Sequence, residues 1–139
     1  MKNSWIDWPE NVRATHAGAP LVLASGELSD TVAFFRQHGA TTTELALGSA
    51  TSPVEVIEAL RQVLPLPQWC GSSWDSIDDA IVDVASAWPF PLVLVVRNLE
   101  ASLERDLQLA LNTVLALASL AGTLGQMDRQ MEVLYVKSS

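Results

Sequence analysis

Pro89-Phe90-Pro91-Leu92-Val93-Leu94-Val95-Val96 is the stretch on which the fold turns. Its two prolines break whatever precedes it, because each lacks a backbone donor and has a fixed φ. Five apolar residues follow without alternation, and three of them are valine. A strand with one wet face alternates apolar and polar residues. A continuous β-branched run marks a strand covered on both faces. Such strands lie inside parallel sheets, and parallel strands need long crossovers, usually helical. The run therefore predicts an α/β layer fold, with strands and helices alternating on either side of it.

The flanking sequence alternates in that way. Thr41–Leu47 sets Thr42, Glu44 and Ala46 against Thr43, Leu45 and Leu47, a strand pattern. Pro20–Ala24 is a short apolar run, read as a buried strand that Ser25-Gly26 ends. Between them, Val32, Phe34 and Phe35 have helical spacing in Asp30–Gln37, with Ser29 as N-cap and His38-Gly39 as stop. Ser52 caps a further helix with Pro53 at its first position. Val54, Ile57, Leu60, Arg61 and Leu64 form its periodic face, and Pro65 ends it. Downstream, a long helix runs from about Ala101 to Leu120, Gly122 and Gly125 fall in the loop after it, and Met131–Val136 is a last strand. The expected architecture is a mostly parallel sheet of about four strands packed with helices. The length, 139 residues, predicts one domain over 1–139. Residues 1–40 form an N-terminal arm, with Trp5, Trp8 and Pro9 lying on the body, followed by an extra strand–helix unit. Residues 41–139 form the core.

Composition narrows the function. Eight Lys and Arg face 16 Asp and Glu, a net charge of −8. With 49% hydrophobic and 17% charged residues this is no disordered acidic chain. It lacks the basic footprint of a protein that binds nucleic acid directly. A single cysteine, Cys70, excludes an internal disulfide and a cysteine-based zinc site, and His16 and His38 leave little for another metal. No glycine-rich phosphate loop and no defensible Ser-His-Asp order is visible, so no catalytic residue, cofactor or metal is assigned. Cys70 is expected as a buried small hydrophobe. Met1–Asp7 has no apolar signal region, which makes the cytoplasm the default compartment. Leu107–Leu120 is interrupted by Gln108, Asn112 and Thr113 and falls short of the ~20 residues that span a bilayer, so no membrane partner is expected. The long helix nevertheless carries two apolar stripes. Leu103, Leu107, Ala110, Leu111, Val114 and Ala118 form one; Leu109, Thr113, Ala116 and Leu120 form the other. The expectation is that the N-terminal arm covers the second stripe. The alternative is a homodimer through the long helix or an additional partner surface.

Ser72 or Ser73 caps a helix that runs to about Ala87. Trp74, Ile77, Ile81, Val84 and Trp88 are spaced by 3, 4, 3 and 4, one narrow apolar stripe. Asp75, Asp79 and Asp83 are four apart on the opposite side, and Asp78 lies at the border. Like charges at that spacing cost about 0.2–0.5 kcal/mol per pair. No Lys or Arg nearby in sequence offsets them, so a cationic ligand would relieve the row. The competing reading is an ordinary solvated face.

Val56–Leu60 followed by Leu66-Pro67-Gln68-Trp69-Cys70-Gly71-Ser72-Ser73-Trp74-Asp75-Ser76-Ile77-Asp78-Asp79 resembles the signature region of the barstar family, intracellular inhibitors of the ribonuclease barnase. The family pattern is a helix, Leu-Pro, two aromatics, Gly, two residues, an apolar residue, Asp, three residues and Asp, then an aromatic-Pro-Leu-Val-Leu strand. Phe90–Leu94 matches that strand, and the resemblance spans about Thr41 to Val136. It implies that loop and helix plug the active site of a basic ribonuclease, cellular or a toxin domain, as an immunity protein or antitoxin would. Asp79 matches the aspartate that takes the substrate-phosphate site, and Asp75 the one that meets a neighbouring Arg. Trp69 matches the aromatic that packs on the catalytic histidine, and Gly71 the glycine that permits close approach. The implied contact set is Trp69, Gly71, Ser73, Asp75, Asp78 and Asp79. The chain departs from the pattern where Cys70 replaces the second loop aromatic, where Asp78 replaces an aromatic, and where Leu111–Ala121 lacks a partner-facing acid. No enzyme activity is expected, since nothing suggests the sugar cleft that a paired-carboxylate hydrolase needs. The alternative function is an acidic, non-catalytic regulatory or scaffold module that binds another protein through the long helix or the arm.

Overall fold

The computed structural model describes residues 5–8, 21–48 and 50–136. The elements are β1 (Leu21–Leu23), α1 (Ser25–Gln37), β2 (Thr41–Ala46), α2 (Pro53–Val63), α3 (Trp74–Asp79), α4 (Ile81–Ala87), β3 (Leu92–Arg97), α5 (Leu99–Arg105), α6 (Leu107–Gln126) and β4 (Met131–Val136). The four strands form one sheet in the order β1-β4-β3-β2, and every pairing is parallel. The fold is α/β, as expected. β3 lies between two neighbours, and Leu92 through Val96 are all buried. The unbroken apolar run thus reflects cover on both faces.

The two faces have separate cores. On one, Leu92, Leu94, Val96, Leu45, Met131 and Tyr135 pack with Ile57 and Leu60 of α2, Ile77 of α3, Val84 of α4 and Leu117 and Leu124 of α6. On the other, Val93, Val95, Leu134 and Val136 pack with Leu23, with Leu28 and Phe35 of α1, and with Ile6. Trp8 meets Phe35 edge to face at 5.0 Å. The N-terminal unit therefore plays two parts. β1 adds a strand to β4, and α1 with residues 5–8 covers the face that the other helices leave open. Buried Gln130 holds the arm: its side chain accepts the Ile6 N–H at 2.7 Å and donates to the Ile6 carbonyl at 2.8 Å. Pro9, Pro20 and His16 lie outside the described residues.

Several boundaries differ from the expectation, each for a local reason. α1 begins at Ser25 and not at Asp30, because the Glu27 carboxylate accepts the Ala24 N–H at 3.2 Å and caps the helix one turn earlier. Ser29 is therefore inside the helix. In α2, Val54 is exposed in the first turn, and Val56, Ile57 and Leu60 face the core. The helix expected from Ser73 to Ala87 breaks at Ala80 into α3 and α4. The one expected from Ala101 to Leu120 breaks at Asp106, whose carboxylate accepts the Leu109 N–H at 3.1 Å and starts α6 afresh. α6 then continues through Gly122 and Gly125 to Gln126, because neither glycine departs from helical backbone. Its 20 residues make it long and apolar enough to cross a membrane, which removes shortness as an argument. One side of it packs into the core, with Leu109, Ala110, Thr113, Leu117, Leu120 and Leu124 buried. The stripe expected to need cover is therefore the one already turned inward. Of the other, Leu107, Leu111 and Ala118 are exposed, while Ala110 is buried and Leu103 and Val114 pack against the core; of the described arm residues, Trp5 lies near Gly125 in the last turn of α6.

Candidate functional site

The loop between α2 and α3 is stiff for reasons beyond its prolines. The Pro65 carbonyl accepts the Trp88 indole N–H at 3.2 Å, and the Cys70 N–H closes a turn onto Pro67 at 3.0 Å. Arg61, in the last turn of α2, reaches underneath. Its guanidinium donates to the Cys70 carbonyl at 2.9 Å and to the Pro67 and Gly71 carbonyls at 3.5 Å. The Glu58 carboxylate takes both the Arg61 Nε–H at 3.3 Å and the Ser72 hydroxyl. The Ser72 hydroxyl, and then Arg61, hold that carboxyl below the usual range. A planar guanidinium carries five fixed donors, so one side chain can gather several carbonyls at once.

The pinned loop fixes its own side chains. Trp69 is 61% exposed, while Cys70 beside it is buried. Burial is the main cause that pushes the Cys70 thiol up, and the nearby Asp79 carboxylate adds to it. A Cβ at Gly71 would stand 2.8 Å from Ser76 Oγ, so that hydroxyl would have to rotate to admit a side chain. Ser73 is the N-cap of α3, accepting the Ser76 N–H at 3.1 Å. Ser72 is not the cap, being engaged by Glu58.

From that cap, α3 carries Asp75 in its first turn and Asp78 and Asp79 in its last, all exposed, while Ile77 is fully buried beneath them. The expected apolar stripe holds: Ile77, Val84 and Trp88 are buried, and Trp74 and Ile81 pack against them. The expected unbroken acid row does not. α3 has no base in its last turn, and two aspartates there oppose the helix dipole. The break at Ala80 makes Asp83 a first-turn residue of α4, where the dipole favours it. Asp75, Asp78 and Asp79 remain together with Trp69, Gly71 and Ser73 on one exposed, rigidly mounted segment. Among the described residues, no group of three His, Cys, Asp or Glu side chains is placed to hold a metal ion. What the segment can do chemically is offer carboxylates and one aromatic face to a cationic surface.

Sequence reasoning missed the support beneath the loop. The sequence pattern places Arg61 only on the periodic face of its helix and gives Glu58 no part. The available signal was an Arg in the last turn of a helix leading into a loop, where free carbonyls concentrate.

The family model described as Barstar (barnase inhibitor) matches residues 40–136. The chain belongs to the Barstar family. A search of curated proteins gave no match. The Barstar match contains β2, β3, β4, all the helices from α2 onward and the whole loop–α3 segment. β1, α1 and residues 5–8 precede the matched residues. Against the Barstar pattern, Cys70 offers no stacking surface because it is buried, which leaves Trp69 as the exposed ring of the loop.

Proposed function

We propose that this chain is a Barstar-type inhibitor that blocks the active site of a basic ribonuclease, either a cellular enzyme or the ribonuclease domain of a toxin, within the cytoplasm. It performs no chemistry. Trp69, Gly71, Ser73, Asp75, Asp78 and Asp79 form the contact. Asp79 occupies the position of a substrate phosphate, because cationic groups arranged for a phosphate accept a fixed carboxylate by charge-assisted hydrogen bonds. The observation that carries the reading is the pinned loop. Arg61 and Glu58 hold the Trp69 loop at the entrance to a Ser73-capped helix whose carboxylates face outward. A ligand site prepared in that way loses little conformational freedom on binding.

The test is a titration against a basic ribonuclease followed by its activity. Asp79→Ala is expected to weaken binding by about 2–5 kcal/mol, the cost of truncating one side of a desolvated charge pair. The barnase–barstar complex is itself the standard example of such coupling, so the figure is borrowed from that class of contact. Association should slow as salt rises. Undiminished binding by the variant overturns the assignment.

The exposed leucines of α6 favour a second reading, an acidic regulatory or scaffold module that captures a protein through that helix or the arm. It is distinguished by Asp75→Asn with Asp79→Asn, which would leave capture unchanged.

A further inference from the structure

α1 lies on the sheet face opposite α2 and α3, and it leaves the β2 end of that face partly bare. Between α1 and β2 runs a groove of about 320 Å³. Leu28, Val32 and Ala33 of α1 and Val95 of β3 give it an apolar side, and Arg36, Thr42, Glu44 and Arg97 a polar one. The Arg36 guanidinium donates twice to the Thr42 hydroxyl, at 2.9 and 2.6 Å. The Arg97 guanidinium pairs with both oxygens of Glu44, at 2.5 and 3.3 Å. A guanidinium carries five N–H donors, so each of the two keeps donors to spare. The other arginines among the described residues, Arg61, Arg105 and Arg129, are turned to backbone carbonyls. Thr42 and Glu44 are two apart on one strand, so they share a face at a separation of about 7 Å. The guanidiniums that they hold therefore border one space.

We propose that this groove binds a small monocarboxylate with an apolar body, a short branched or aromatic acid. Charge selects the head of that ligand. The Arg97 hydrogen bond chiefly, and the Arg36 charge in smaller part, hold the Glu44 carboxyl below its ordinary range, so it is ionised at neutral pH. Two cations against one anion leave the lining with a single positive charge. Arg97 has its counter-charge in Glu44, whereas Arg36 has only a neutral hydroxyl among the described residues. A singly charged oxyanion completes that balance. A phosphate dianion overshoots it and sets a second negative charge against Glu44. The planar carboxylate also fits the fork of a guanidinium, which it can engage with both oxygens. The wall selects the body. Apolar side chains stand directly beside the cations, and ligand sites of this size orient an apolar molecule with a few convergent polar groups. The groove and the Asp79 segment lie on opposite faces of the sheet, so nothing in this site depends on ribonuclease binding.

Titration of the full chain with benzoate, followed through amide shifts in two-dimensional NMR, tests it. Benzoate should move the amides of Ala33, Arg36, Thr42 and Glu44 saturably. Benzamide, which has the body without the charge, and acetate, which has the charge without the body, should each bind about tenfold more weakly or worse. Arg36→Gln, at an exposed position, should weaken benzoate by about tenfold with unchanged circular dichroism. Ala33→Leu, which narrows the groove without altering its charge, should weaken benzoate as well. Glu44→Gln should do the opposite, tightening benzoate and admitting inorganic phosphate, which the native chain should refuse. Shifts that fail to saturate or that centre on other residues overturn the proposal. So does benzamide binding as tightly as benzoate, undiminished benzoate binding by Arg36→Gln, or a native chain that prefers phosphate.

Discussion

At the scale of single residues, Arg61 has the most to answer for. Its side chain joins α2 to three carbonyls of the loop, and with Glu58 and Ser72 it closes a small polar network. Replacing it by Leu keeps the aliphatic stem and removes every donor. The expected cost is about 1–2 kcal/mol, measured by urea unfolding, since hydrogen bonds to a charged donor carry roughly that much and the group is partly solvated. Amide exchange at Cys70 and Gly71 should accelerate more than exchange in β3. Arg61→Lys should recover little, because an ammonium cannot serve the same set of carbonyls. This network was invisible in the sequence for a plain reason: it joins residues 6 to 14 apart through space, with no periodic signature. Trp69, Ser73 and the aspartates were legible because their arrangement is local. A cap, a turn and one helix face are all written within a dozen residues.

Elements show the converse pattern. Strands were read well, since burial on two faces leaves a continuous apolar run in β3 and burial on one leaves alternation in β2. Helix continuity was read poorly. Asp106 interrupts an apolar periodicity that looks unbroken, because its carboxylate satisfies a free N–H of α6 and turns the chain at extended backbone angles. Asp106→Ala should cost about 0.5–2 kcal/mol of stability by chemical denaturation, the usual range for a lost N-cap. Leu107, next to the lost cap, should fray first in amide exchange. The inward face of α6 could not be chosen from sequence either. With apolar residues on two sides and no charge to mark the wet one, only the position of the sheet decides that Leu109, Leu117 and Leu124 turn in.

For the whole molecule, both faces of the sheet are clothed, and an acid was enclosed in the process. Glu132 of β4 is half-buried beside Gln130 and Trp8, and burial raises its carboxyl above the ordinary range despite hydrogen bonds from both. The folded protein therefore keeps a proton that the unfolded chain has already released. Stability from this group is complete in acid and declines as pH rises from the unfolded value through the folded one. Glu132→Gln removes that titration. Its stability relative to the native chain should therefore climb as pH rises above the ordinary carboxylate range, as read by urea unfolding at each pH. A constant difference over that rise would place Glu132 in contact with water after all.

The strand order β1-β4-β3-β2 also imposes a timetable on synthesis. The first strand made pairs with the last, and Leu21–Leu23 has no neighbour until Leu134–Val136 has been translated. A ribosome delivers the N-terminal unit earliest and its template latest, so α1 and the apolar strand before it must wait, uncovered, for almost the entire chain. Pairing of β1 with β4 is therefore expected late in folding, and pulse-labelled amide exchange should protect Leu21–Leu23 after β3.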